Sequence, residues 1–185
     1  MEPILLYNAE NFTTFTEKQI ERLKNGTFNV FEAATIANIT TTQLKFLKFI
    51  LGVGKQSPNM AVLGEAATIP LHMRAQISML KFWNRIRHMN DDVLVKLAYK
   101  ENVESNSLWC KSIQVLNTSY QLHSRDWTEI EFHNEIKKTL TSSFTNYWRN
   151  RIDNRDVEKK LQLYSKAKER FQIGKYLDIP TFRER

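Results

Sequence analysis

The sequence predicts an all-α protein: an irregular helical bundle with a long C-terminal helix or helix pair and no substantial sheet. Three observations predict it. The 185 residues contain only five Gly and four Pro, too few turn residues for a many-stranded β protein, which needs a turn every ~10 residues. Thr16-Glu17-Lys18-Gln19 and Thr128-Glu129-Ile130-Glu131 place Thr three residues ahead of Gln or Glu, the spacing at which both side chains satisfy free amides of a first helical turn. Residues 70–89 repeat their apolar positions with the helical period.

Taken in order, the helix that starts after Thr16 should close at Gly26, which takes a left-handed conformation cheaply. Residues 27–41, Thr-rich and β-branched, read as loop or a short hairpin arm. A helix over 42–51 carries Leu44, Leu47 and Leu51 on one side, with Gly52 stopping it. Ser57-Pro58 reads as an N-cap followed by proline at the first helical position, opening a short helix that ends near Gly64. In the stretch 70–89, at 100° per residue, Leu71, Ala75, Met79, Phe82 and Ile86 fall within an arc of about 80°. Met73, Ile77 and Leu80 lie opposite, with Trp83 between. Only a narrow strip of Arg74, Ser78, Lys81 and Arg85 stays polar, so this helix should be buried between neighbours with one basic edge in water.

Asn90 is positioned to cap a helix over 91–101, and Asn106 or Ser107 one over 108–122. The long helix after Thr128 turns Phe132, Ile136, Leu140, Ser143 and Tyr147 inward. Beyond Asp153-Asn154, which break or bend it, Val157, Leu161, Tyr164 and Phe171 form an apolar seam with Lys168 filling the gap. Turned about 160° from that seam, Arg155, Lys159, Gln162, Lys166 and Arg170 make a basic stripe.

The formal charge is +7, from 27 basic and 20 acidic residues, with a pI near 9.5. It is unevenly placed. Residues 43–88 carry seven basic groups against one acidic, and 146–185 carry eleven against six; 1–42 and 89–145 are each slightly acidic. Two basic blocks suit a partner gripped by its phosphates at two places. The 42% hydrophobic content excludes a disordered tail, and a single cysteine excludes a disulfide scaffold. No apolar run approaches the ~18 residues of a membrane span, and no basic region precedes an apolar stretch at the start. An intracellular protein, nuclear or cytoplasmic and not secreted, with no membrane contact, is expected.

No catalytic constellation is visible. Gly52-Val53-Gly54-Lys55 lacks the earlier glycine and following Ser/Thr of a phosphate-binding loop, since Phe49 and Gln56 stand there. Asp91-Asp92 falls at a predicted helix start, where carboxylates favour the helix dipole, not on the hairpin that paired metal-binding aspartates need. His72, His88, His123 and His133 lack partners at metal spacing, and Cys110 sits in an apolar helical stretch as a buried thiol. No metal, no cofactor and no enzymatic activity are expected.

Two stretches are more specific. Pro3-Ile4-Leu5-Leu6-Tyr7-Asn8-Ala9-Glu10 resembles the "P-I-L-x-Y-G-x-E-x-W" segment that closes the reverse-transcriptase domain of LINE-type (non-LTR) retrotransposon polyproteins. Leu44-Lys45-Phe46-Leu47-Lys48-Phe49-Ile50-Leu51-Gly52-Val53, Asn59-Met60-Ala61-Val62-Leu63-Gly64-Glu65, Ile69-Pro70-Leu71 and Lys81-Phe82-Trp83 are similar to the pattern that follows it in that family. The chain departs from the pattern at Asn8 (usually Gly), Phe12 (Trp), Leu63 (Tyr) and Ala66-Ala67 (Leu-Gly). The resemblance implies three segments: 1–42 as the end of the reverse-transcriptase domain with a short helix and loop, 43–125 as a helical thumb-like bundle, and 126–185 as a long helical linker. It places the family's Tyr-x-Asp-Asp hairpin upstream, so the expected product is a non-catalytic fragment of an RNA-directed DNA polymerase.

In that family the thumb holds the template–primer duplex. The resemblance and the two basic stripes together imply non-specific binding of RNA or an RNA/DNA duplex through Arg74, Lys81, Arg85, Arg155, Lys159, Lys166 and Arg170. Neutralising about six phosphates would give log affinity against log salt a slope of roughly −4 to −5. The alternative is a helical protein-interaction module whose 157–171 seam packs on a partner helix or on a second copy of itself. A fragment should also expose an apolar patch near its N-terminus, at Leu5, Leu6, Tyr7 and Phe12.

Overall fold

The computed structural model describes residues 14–27, 29–122, 128–154 and 161–174. Among them are nine helices and no strand: α1 Glu17–Lys24, α2 Val30–Ile36, α3 Asn38–Ile50, α4 Asn59–Glu65, α5 Leu71–Arg87, α6 Leu94–Glu104, α7 Leu108–Ser119, α8 Glu129–Asp153 and α9 Gln162–Ala167. The all-α reading holds, with α8 as the expected long helix. None of the described helices is long and apolar enough to cross a membrane.

The first capping box forms as the spacing predicts. Gln19 N donates to Thr16 Oγ1 at 3.3 Å, and Thr16 N donates to Gln19 Oε1 at 2.9 Å. Gly26 follows the helix at φ +68°. The 27–41 reading is corrected: described residues there are helical from Val30 to Ile36, and α3 starts at Asn38 instead of 42. A further capping box drives this, Glu32 N donating to Asn29 Oδ1 at 2.9 Å. The β-branched residues are absorbed because Thr41 and Thr42 return their hydroxyl protons to the carbonyls of Ala37 and Asn38. The boundary expected at 42/43 therefore lies inside α3.

The short helix ends near Gly64 as expected: α4 runs to Glu65, and Gly64 is buried in its last turn. The chain turns at Ala67 with φ +44°, and Ser57 does not cap α4, which begins behind Pro58. Gly64 is needed for close approach. A Cβ there would stand 2.5 Å from Tyr164 Oη and 2.7 Å from the Trp148 ring. Those two side chains hold α4 by its carbonyls, Trp148 Nε1 donating to Met60 O at 2.9 Å and Tyr164 Oη to Ala61 O at 3.2 Å. Gly64→Ala should cost about 1–3 kcal/mol through overpacking; an unchanged urea midpoint would contradict this packing.

The centre of the bundle is α5, which touches α2, α3, α6, α7 and α8. Pro70 supplies no side-chain cap. The first amides of α5 are met from α3: Leu71 N donates to Gln43 Oε1 at 2.8 Å and His72 N to Thr40 Oγ1 at 3.3 Å. As the angular pattern predicts, α5 is buried nearly all round, including Gln76, whose Oε1 accepts from the buried Tyr120 hydroxyl. Helix α8 returns along α5, so Phe132 near its start meets Trp83 near the end of α5, with ring centres 6.2 Å apart. Its inner face is Phe132, Ile136, Leu140, Phe144, Trp148 and Ile152. Beyond Leu140 this corrects the expected Ser143 and Tyr147, which are half-buried, because the four-residue step continues.

Helix α6 starts at Leu94, later than expected, so Asp91 and Asp92 precede it in a turn. Asp91 pairs with Lys100 at 3.0 Å. Ser107 caps α7, and Cys110 is a buried free thiol. After α8, Leu161, Tyr164 and Phe171 pack into the protein's own core, Phe171 with its ring 5.2 Å from Trp148 and 5.8 Å from Phe144. Lys168 lies 3.3 Å from Glu65, their side chains 11% and 17% exposed, and Arg149 Nη1 donates to Lys168 O at 2.7 Å.

Candidate nucleic-acid interface

The basic edge predicted for α5 is present: Arg74, Ser78 and Lys81 are half-buried and Arg85 is exposed. The return of α8 converts part of this edge into a cleft of about 250 Å³. Ser78, Lys81, Phe82 and Arg85 line one wall, Glu129 and His133 the other. The second capping box fixes the first turn of α8 there, Thr128 N and Oγ1 donating to Glu131 Oε2 at 3.0 and 2.8 Å. These bonds hold the Glu131 carboxyl below its ordinary pKa. The Arg85 guanidinium lies 5.5 Å from the Phe82 ring centre, which steadies a long side chain over an aromatic face.

Neither Lys81 nor Arg85 has an ion-pair partner among the described residues. His133 stands beside them. Burial and the Lys81 charge lower its pKa from the ordinary value, Glu129 pulls the other way, and Arg85 lowers it further. Its Nε2 atom is buried with no hydrogen-bond partner in the described structure, and the nearest carboxylate oxygen, on Glu129, is 3.8 Å away. Two cations, a hydroxyl and the His133 imidazole thus line one small cleft together with the Glu129 carboxylate. Among the described residues no group of three His, Cys, Asp or Glu is placed to hold a metal.

The other expected cations are dispersed. Arg74, eleven residues before Arg85 on α5, about 16 Å by helical rise, donates from Nη2 to Thr68 Oγ1 at 3.0 Å. Lys166 is exposed on α9, and Arg170 is exposed beyond its end. Arg155 and Lys159 lie outside the described residues, as do Leu5, Leu6, Tyr7, Phe12 and Val157. Lys166 and Arg170 do not share a helix face as the stripe required, because α9 has six residues and the backbone leaves it at Lys168 (φ −114°, ψ 93°). There the Lys168 carbonyl is taken by Arg149. Ser78 belonged to the predicted polar strip, but Glu129 and His133 did not enter the predicted site. They lie on a helix far along the chain, and helical periodicity shows which face is wet without showing what stands opposite it.

No protein-family model, no curated protein and no solved structure matches this chain.

Proposed function

We propose that this protein holds nucleic acid, an RNA or RNA/DNA duplex, by its phosphates and without catalysing a reaction, the role that the thumb of a non-LTR reverse transcriptase plays behind the active site. The observation that carries this reading is the convergence of Lys81 and Arg85, without ion-pair partners among the described residues, on one cleft beside His133. Arg74 extends the same edge along α5, and phosphate contacts of this kind position a duplex without reading its sequence. The motif resemblance at residues 44–83 supports it independently, because α3, α4 and α5 carry those motifs.

Fluorescence anisotropy of a labelled RNA/DNA duplex over a salt series tests it. Lys81→Glu with Arg85→Glu should weaken binding at least about tenfold and flatten the log–log salt slope by about 1.8. Glu129→Gln should tighten binding, since it removes a carboxylate that lines the cleft. Salt-independent binding, or a double variant that binds like the parent, refutes the proposal.

A second reading, helix–helix association, moves to a different surface. The expected seam is engaged in the core at Leu161, Tyr164 and Phe171. Helix α6, by contrast, has no buried residue and exposes Leu94, Val95, Leu97 and Val103. Self-association through it predicts a sedimentation coefficient that rises with concentration and no longer does so in Leu94→Lys.

A further inference from the structure

A second cleft, about 720 Å³, lies between α3 and the loop leading to α4, with the core residue Leu44 among its lining. Its lining includes Lys45, Lys48 and Phe49 from the last turns of α3, and Val53 and Lys55 from the loop. Lys48 Nζ donates to the Lys55 carbonyl at 2.9 Å, which ties the loop to the helix and holds the cleft open in one shape. Phe49 is 83% exposed, and Phe46, Ile50 and Val53 around it are exposed as well. Between Glu32 and Glu65 the sequence contains no carboxylate, so no residue of this segment neutralises the three lysines, and none of the lining residues is acidic. An aromatic ring this exposed costs free energy in water unless something covers it, and the surrounding charge says that the cover is anionic.

We propose that this cleft binds single-stranded nucleic acid, with a base stacked on Phe49 and the flanking phosphates held by Lys45 and Lys55. A ring face set among cations is the arrangement by which sequence-tolerant single-strand sites work, since every base offers a π-face and every linkage a charge. A duplex cannot use it, because its bases are already stacked on one another. The cleft shares no residue with the α5–α8 site, so the protein would have two nucleic-acid contacts of different kind, one for a helix backbone and one for an unpaired strand.

The test uses the full chain with fluorescein-labelled oligothymidine and an abasic strand of the same length and charge. Oligothymidine should bind at least about fivefold tighter than the abasic strand, and Phe49→Ala should remove that difference while Phe49→Tyr keeps it. Lys45→Gln with Lys55→Gln should flatten the single-strand salt slope by about 1.4. Phe49 is at the surface, so circular dichroism melts of these variants should match the parent. A Lys81→Glu, Arg85→Glu chain should lose duplex binding yet keep its preference for oligothymidine over the abasic strand, which separates this inference from the function proposed above. Equal binding of the abasic strand, or unchanged oligothymidine affinity in Phe49→Ala, overturns it. So does Phe49-dependent binding to phosphatidylserine vesicles that displaces the oligonucleotide, since the cleft would then be a membrane contact.

Discussion

Trp148→Ala should lower stability by about 3–5 kcal/mol, the range for emptying a fully buried aromatic site. Trp148 is 1% exposed and among the largest of the fully buried side chains. The cost has three physical sources. The apolar area of the indole is lost from the core, and the cavity cannot collapse easily because Phe171, Phe144 and Gly64 are fixed around it by other contacts. The Met60 carbonyl also loses the indole N–H that satisfies it. With domains of this size stable by only about 5–15 kcal/mol, a large share of the total would go. Urea unfolding followed by circular dichroism measures it. A loss below about 1 kcal/mol would mean that α4, α8 and the segment after α8 do not meet around this ring.

Acidification should destabilise the protein well above the range in which carboxylates titrate. His72, buried in α5 with the Phe15 ring 6.3 Å away, has its pKa lowered by burial from 6.5 to about 4. Between those values the unfolded chain holds a proton that the folded chain does not. Stability is therefore complete above about pH 6.5 and falls as the pH drops toward 4, by roughly 3 kcal/mol in all. Below that both states are protonated and the loss stops growing. Asp91, lowered by its hydrogen bond and charge contact with Lys100, and Glu131, lowered by Thr128, act in a more acidic window. Urea midpoints from pH 7.5 to 4.5 should fall for the parent and fall distinctly less for His72→Gln, in which only the lowered His133 still titrates there. A parent midpoint that does not move across that range would place His72 in water.

Local rules read well wherever the determining partner was also local. The Thr16 and Thr128 boxes, the Gly26 and Gly52 stops and the one-sided wet strip of α5 all depend on residues within a few positions of each other, and all appear. The loop or hairpin arm expected over 27–41 rests on β-branching, which here yields to the Asn29–Glu32 box, whose spacing equals that of the Thr16 and Thr128 boxes. The helix end near Gly64 is legible, but the need for a residue without a side chain there shows only once Trp148 and Tyr164 arrive from far along the sequence. The site divides in the same way. Lys81 and Arg85 were legible from periodicity, while His133 and Glu129 complete their cleft through the path of α8. The Lys166–Arg170 stripe needs an unbroken helix, whereas the chain leaves α9 at Lys168, whose carbonyl accepts from Arg149 on α8.

The start of α5 has a consequence for how the molecule opens. Because Gln43 and Thr40 hold the Leu71 and His72 amides, the central helix has no self-sufficient beginning; its first turn is completed by a neighbour. Deuterium uptake at those two positions should consequently track the detachment of α3, not the fraying of α5, making them sentinels for the breathing of another helix.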